Sequence, residues 1–199
     1  KPAAPAAPAA DKKVFVNIAT GGTAGVYYPL GGAMAEIFNK NIPGMNASAQ
    51  STGASVANIN LIKDGKVEVA LVQNDIAYYA ANGTEMFKDK KVEAIQGIAS
   101  LYNETIQIVT IEGKGIKTVA DLKGKRVAVG ALGSGTEANA RQIMEIFGIT
   151  YADIKPQYLS FGEAANGLKD GNIDVAFVTA GAPTAAIQDI AAQHKVALV

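Results

Sequence analysis

The chain has 199 residues, 49% of them hydrophobic, which is material for one substantial core or two modest ones. Lys plus Arg equals Asp plus Glu at 18 each, and no basic run lies beside aromatic residues, so nucleic acid is not an expected partner. Cysteine is absent and His194 is the one histidine, which excludes disulfides, thiolate catalysis and His- or Cys-based metal clusters, and no apolar run approaches the about 18 residues of a bilayer span.

Lys1 to Ala10, KPAAPAAPAA, has the composition of an extended spacer, and residues 1–12 are read as an Ala/Pro-rich disordered linker. Val14, Val16 and Ile18 then alternate as a strand, and TGGTAG (Thr20 to Gly25) forms a glycine turn. Leu30, Ala33, Met34 and Ile37 recur at helical spacing up to Pro43-Gly44. A strand around Asn46 to Gln50 leads through Ser51-Thr52-Gly53 into a helix ending at Asp64-Gly65. Val67 to Val72 is a strand, and Gln73-Asn74-Asp75 opens a helix that stops near Gly83. Ile95 to Ile111 reads as two strands meeting near Tyr102-Asn103-Glu104. Thr118 to Leu122 is a short helix and Arg126 to Ala131 a strand.

The most informative stretch follows. Gly133 and Gly135 permit unusual backbone angles in a turn, Ser134 and Glu137 form an S-x-x-E capping box, and Ala140, Ile143, Met144 and Phe147 continue as a helix to Gly148. Unpaired N–H groups and a partial positive charge make such a helix start a place for carboxylate or phosphate. A strand at Ile154 to Leu159, a helix from Ser160 to Lys169, a strand at Ile173 to Val178, a helix opened by Ala180-Gly181-Ala182-Pro183 and a strand at Lys195 to Val199 complete the order.

KDGKVEVALV (Lys63 to Val72) returns as KDGNIDVAFV (Lys169 to Val178), with the same order of elements before each copy. Two similar α/β lobes are expected, residues 13–103 and 104–199, hinged near Ser100 to Gln107. Ligands of open parallel sheets lie beyond the carboxyl ends of the strands, so four strand-to-helix turns should face one cleft. The candidate ligand-binding residues are Thr23, Tyr27, Ser51, Gln73, Asp75, Ser134, Gly135, Thr136, Ala180 and Gly181. Ser134, Gly135 and Thr136 would hold a carboxylate, Thr23 and Tyr27 would face it, and Gln73 and Asp75 would read an amino group or the distal end. Arg141, two turns into its helix, is read as solvated or lobe-bridging.

Enzyme motifs are weak. Gly133-x-Gly135-x-x-Ala138 fits the dinucleotide pattern, but the next strand does not end in the acid that would hold a ribose. Neither a Walker loop nor a G-x-S-x-G elbow can be written here, and His194 lacks a neighbouring nucleophile. No catalytic residue, metal or cofactor is assigned, and the groups in the turns suit binding.

ATGGTAGVYYPLGGAMAEIFN, STGASVANINLI, VALVQNDIAYYAANG, DLKGKRVAVGALGSGTEANARQIM and VAFVTAGAPTAAI resemble the TAXI family of solute receptors that serve TRAP transporters. The resemblance runs from about Val14 to Val199. It implies an α/β, two-lobed periplasmic-binding-protein-like fold, each lobe a mostly parallel sheet with flanking helices. It also implies an extracytoplasmic, periplasmic or lipid-anchored monomer that delivers a small carboxylate such as glutamate to a TRAP-type permease. Ala57 stands where the family commonly has glutamate, and family members continue past Val199 with a C-terminal return to the first lobe that is missing here. An enzyme or sensor on the same scaffold is the alternative.

Overall fold

The computed structural model describes residues 13–199; the Ala/Pro-rich linker assigned to residues 1–12 lies outside the described residues. The first sheet is parallel. Its middle strand β1 (Val14–Ala19) pairs with β2 (Met45–Gln50) from Val14↔Met45 to Ala19↔Gln50, and with β3 (Val69–Ala70) on the other side. Helix α1 (Tyr27–Asn41) makes the crossover from β1 to β2, setting Met34, Ala35 and Phe38 on Val16, Ile18 and Ala47. Gly31 sits on this face because a β-carbon there would collide with Thr20. Helices α2 (Ser55–Lys63) and α3 (Asn74–Asn82) form a further apolar cluster through Ile59, Ile76 and Ala80, joined by Phe87 and Val92.

The second sheet has five strands in the order β6-β5-β7-β4-β8: β4 (Thr105–Ile111), β5 (Arg126–Ala128), β6 (Lys155–Gln157), β7 (Val175–Ala180) and β8 (Val196–Leu198). Only β4 runs against the others; β5 is parallel to both β6 and β7, and β4 is antiparallel to β7 and β8. Two cores cover its two faces. Helix α4 (Gly135–Ile146) brings Ala140 and Met144 onto Val127, Val129 and Phe177. Helices α5 (Phe161–Lys169) and α6 (Ala185–Ala191) bring Ala164, Leu168 and Ile190 onto Ala128, Ala176 and Val178. Covered on both faces, β7 reads as an unbroken apolar run apart from Thr179.

Several boundaries differ from the sequence expectation, and for the strands pairing rather than composition decides. The run Val67 to Val72 yields only the two-residue β3, which has β1 as its single neighbour. Arg126 to Ala131 gives only β5, because the chain turns at Gly130, whose φ of 102° belongs to glycine. Residues 95–104 hold no strand; among the described residues none pairs with them, and Ile98 is 85% exposed. Thr118 to Leu122 is a 3-10 turn over Val119–Leu122, closed by a Thr118–Asp121 capping box. The last helix begins at Ala185 with Thr184 as its N-cap residue, later than Ala180 to Pro183 suggested. Among the described residues, no helix is long and apolar enough to cross a membrane.

Candidate functional site

Parallel strands that all feed forward into helices leave the helix N-termini at one end of each sheet. Here the N-cap residues of five helices, Val26 of α1, Ala54 of α2, Gln73 of α3, Ser134 of α4 and Ser160 of α5, line a single cavity. All four turns expected to face a cleft contribute to it: Gly21 to Tyr27, Gln73, Ser134 with Thr136, and Ala180. It leaves about 60 Å³ for the centres of water-sized occupants, several times the roughly 10–15 Å³ that one water needs.

Five helix ends do not make five anion sites, since some are already occupied. At α5 the Ser160 hydroxyl accepts from the Glu163 amide (3.4 Å) while the Glu163 carboxylate accepts from the Ser160 amide (2.8 Å), a complete capping box that holds Glu163 below its ordinary pKa. At α2 the amides of Val56 and Ala57 donate to the Gly133 carbonyl (3.0 and 3.1 Å), so the α4 turn caps the neighbouring helix. Gly53 lets these backbones meet, because a β-carbon there would lie 2.9 Å from the Leu132 carbonyl oxygen. At α4 the Ser134 hydroxyl likewise accepts from the Glu137 amide (3.1 Å), and among the described residues the Gly135 and Thr136 amides meet no acceptor, as Phe161 and Gly162 meet none at α5; α4 differs in having no carboxylate turned back onto its start. Thr136, 3% exposed, faces the cavity at this open end.

The capping box expected at Ser134 and Glu137 is therefore half formed. The Glu137 carboxylate instead accepts from the Tyr151 hydroxyl at 2.7 Å, and burial, with Glu137 beside it, pushes that phenol above its ordinary pKa. Gly133 has the positive φ expected of it, 80°, but Gly135 does not. Gly135 lies within α4, and the Gln73 side-chain amide packs where its β-carbon would be, so a larger residue there would displace that amide.

Of the ten candidate residues, Tyr27, Gln73, Ser134, Thr136 and Ala180 line the cavity. Thr23 does not; it is exposed at the outer side of its turn. Ser51 is also exposed, its hydroxyl donating to the Gly21 carbonyl at 3.0 Å, and the next residue, Thr52, lines the wall in its place. Gly135 and Gly181 lie behind the lining, Gly181 against Tyr102. Asp75 is withdrawn as well: its carboxylate accepts from the Ile76 amide (2.8 Å) and from Asn139 Nδ2 (2.8 Å), so it holds the start of α3 and a neighbouring side chain.

Asn139 was not foreseen. It is 7% exposed, and its Oδ1 accepts from Gln73 Nε2 (2.9 Å) and the Thr179 hydroxyl (3.1 Å) while Nδ2 binds Asp75, so one amide ties α4 to α3 and to the end of β7. A lone asparagine inside an amphipathic helix gives no signal in sequence. Arg141 approaches Glu85 (3.8 Å) and, in its own helix, Glu145 (3.5 Å).

The more consequential omission is Glu104. It lies just before β4, lines the cavity, and accepts from the hydroxyls of Tyr27 (2.9 Å) and Tyr102 (3.2 Å). Burial raises its pKa; the two phenols oppose the shift and the charge of Asp75 adds to it. Burial and the adjacent carboxylate push the Tyr27 hydroxyl well above its ordinary value. Among the described residues, no lysine, arginine or histidine lines the cavity. Among the described residues no group of three His, Cys, Asp or Glu is placed to hold a metal ion. The wall is thus made of hydroxyls, amides, aromatic carbon and one carboxyl group, which suits a small polar solute held by hydrogen bonds.

A family model described as the NMT1-like family matches residues 18–199. Among solved structures, the chain is similar to the alkanesulfonate-binding protein SsuA from Xanthomonas axonopodis pv. citri bound to MOPS, with 18% identity and a TM-score of 0.62 over 95% of this chain and 61% of that one. An ancestral arginine-binding protein bound to arginine matches at 19% identity and a TM-score of 0.61, covering 93% of this chain and 78% of the other. A provisionally named aliphatic sulfonates-binding protein of Escherichia coli (strain K12) is 37% identical over 67 residues, 34% of this chain and 21% of that protein. The chain thus spans less than two thirds of the Xanthomonas and Escherichia coli proteins. The likeness in structure establishes the fold: α/β and periplasmic-binding-protein-like, with sheets flanked by helices.

Proposed function

The chain belongs to the NMT1-like family, and from that premise we propose that it is an extracytoplasmic solute-binding receptor for a small carboxylate, glutamate or a similar amino acid. The reading rests on one observation above the rest. The start of α4, where the Gly135 and Thr136 amides meet no acceptor among the described residues, lies beside a small cavity lined by Ser134 and Thr136 and by residues from both halves of the chain. Charge-assisted bonds from N–H groups are about twice as strong as neutral ones, and a helix end adds roughly 0.3–1 kcal/mol, so arginine is not required. Alkanesulfonates and arginine, named for the related proteins, both carry an acid group of the kind such a helix end stabilises.

In this reading, residues 13–103 and 104–199 are two lobes that close on the solute about Ser100 to Gln107. Backbone donors at α4 hold the carboxylate, Ser134 and Thr136 add hydroxyls, and Tyr27 and Gln73 form the opposite wall. The resemblance to TAXI receptors makes a TRAP-type, ion-coupled permease the acceptor of the solute. Uptake of labelled glutamate into vesicles holding such a permease would then require both this protein and an ion gradient.

Thr136→Val keeps the shape of the site and removes one donor. A hydrogen bond to a charged group contributes about 1.5–3 kcal/mol, so glutamate affinity should fall roughly tenfold to a hundredfold. Calorimetric titration of wild type and variant measures this, and equal affinities would refute the placement of the carboxylate at α4.

A further inference from the structure

The lining of the cavity has two parts of opposite character. One is the start of α4, with Thr136 and unpaired amides; the other is Glu104, an acid that, among the described residues, no basic side chain in the lining balances. Each Glu104 oxygen already takes one phenol, Oε2 from Tyr27 and Oε1 from Tyr102. A carboxylate has about four lone-pair sites, so two remain. Two neutral donors compensate a half-buried carboxylate incompletely, and a cation that reached it would gain both charge and hydrogen bonds.

We infer that Glu104 is the specificity-determining residue of this site, receiving the ammonium group of a zwitterionic α-amino acid whose carboxylate lies at α4, and disfavouring plain carboxylates and sulfonates. The inference rests on the solute-receptor reading above and names the class of solute. A second anionic group brought to Glu104 would meet a like charge in a partly desolvated setting, whereas an ammonium meets its complement. Glu104 also immediately precedes β4, on the segment joining the two sheets, and Tyr27 belongs to α1 of the first. An ammonium on Glu104 therefore bonds at the joint about which the lobes would close.

A pH signature follows. The groups facing Glu104 are Tyr27 from α1, Tyr102 from its own segment and, at longer range, Asp75 at the start of α3. Burial keeps the free carboxyl above its ordinary pKa, and pairing with an ammonium requires the ionised form. As pH falls through that raised pKa, binding must first expel a proton, so affinity for an amino acid falls; above it, affinity is level.

Glu104→Gln retains size and loses charge, and the probes are glutamate and glutarate, which has the same two carboxylates without the amino group. Wild type should prefer glutamate; the variant should lose roughly tenfold to a hundredfold of glutamate affinity, hold or gain affinity for glutarate, and lose the acid-side pH dependence. Glu104→Asp, which keeps the charge, should retain both the preference for glutamate and the pH dependence in weakened form. Equal losses for both probes would mark Glu104 as a scaffold residue and overturn the inference. A wild type that binds glutarate as tightly as glutamate would overturn it too, while leaving the anion-binding reading intact. Binding of neither probe would overturn both.

Discussion

The two KDG copies have almost the same letters and begin with the same geometry, yet end differently. Asp64 closes α2 with φ −81° and ψ 0°, and Asp170 closes α5 with φ −79° and ψ −5°. Gly65 and Gly171 follow at φ 65° and 74°. The Lys66 amide then bonds back to the Leu61 carbonyl and that of Asn172 to Gly167, the same offset in both. Even the acid two residues on repeats its role: Glu68 accepts from the Asn17 amide and Asp174 from the Arg126 amide, each on the adjoining strand. Beyond that point the copies part. The first gives the two-residue β3 with one neighbour; the second gives the six-residue, fully buried β7 between β5 and β4. A helix stop and its glycine are fixed by residues within one turn, whereas strand length is fixed by what lies alongside.

Mutations at matched positions can break that comparison. The largest effect should come from Phe177→Ala, which opens a cavity at the centre of the second sheet and should cost about 3–5 kcal/mol in urea unfolding. Val175→Ala, at a fully buried site, should cost more than Val69→Ala, at its half-buried counterpart. Equal costs would mean that the two strands are equally well covered.

A smaller effect separates the acids. Asp174 accepts from Arg126 Nε (3.0 Å) and Nη2 (2.6 Å), and these bonds hold its pKa at about 2, below the ordinary carboxylate range. Because the folded pKa is depressed, its contribution is present above the unfolded value near 3.9 and is lost as pH falls through about 2. Between about pH 4 and 2, wild type should therefore lose stability relative to Asp174→Asn, measured as melting temperature against pH. A constant difference across that range would refute the assignment.

The smallest effects should be equal. Gly65→Ala and Gly171→Ala each force a side chain into left-handed backbone with open space around it, so each should cost about 1–2 kcal/mol. A difference much beyond about 0.5 kcal/mol between them in denaturant midpoints would show that the turns depend on their surroundings, contrary to additivity at independent sites.

Within the candidate site the same division holds. Gln73, Ser134 and Thr136 were legible because each stands at the start of a helix that follows an apolar strand, and that position alone sends it to the cleft. Ser160-x-x-Glu163 was equally legible as a capping box, and it is the one that closes completely, whereas Glu137 of the more conspicuous Ser134 box is taken by Tyr151. Thr23 and Ser51 sit in the right turns but are exposed and are not part of the cavity's lining. A turn fixes where a backbone goes; which of its side chains faces inward depends on what packs across from it.

Local chemistry alone determined the order and type of most elements, the repeat, and the gathering of helix starts, since hydrophobic period, caps and glycine turns act over a few residues. Tertiary structure decided that the start of α2 is capped from outside, because the Gly133 carbonyl takes its first amides. It also set Gln73 over Gly135, Asn139 between Gln73, Asp75 and Thr179, and Glu104 under two tyrosines. These contacts join residues separated by 40 to 77 positions, apart from Tyr102 with Glu104. Glu104 lies at the joint between two expected strands, where no helix start or glycine turn marks a site, so its place in the cavity wall came from tertiary contacts with Tyr27 and its surroundings.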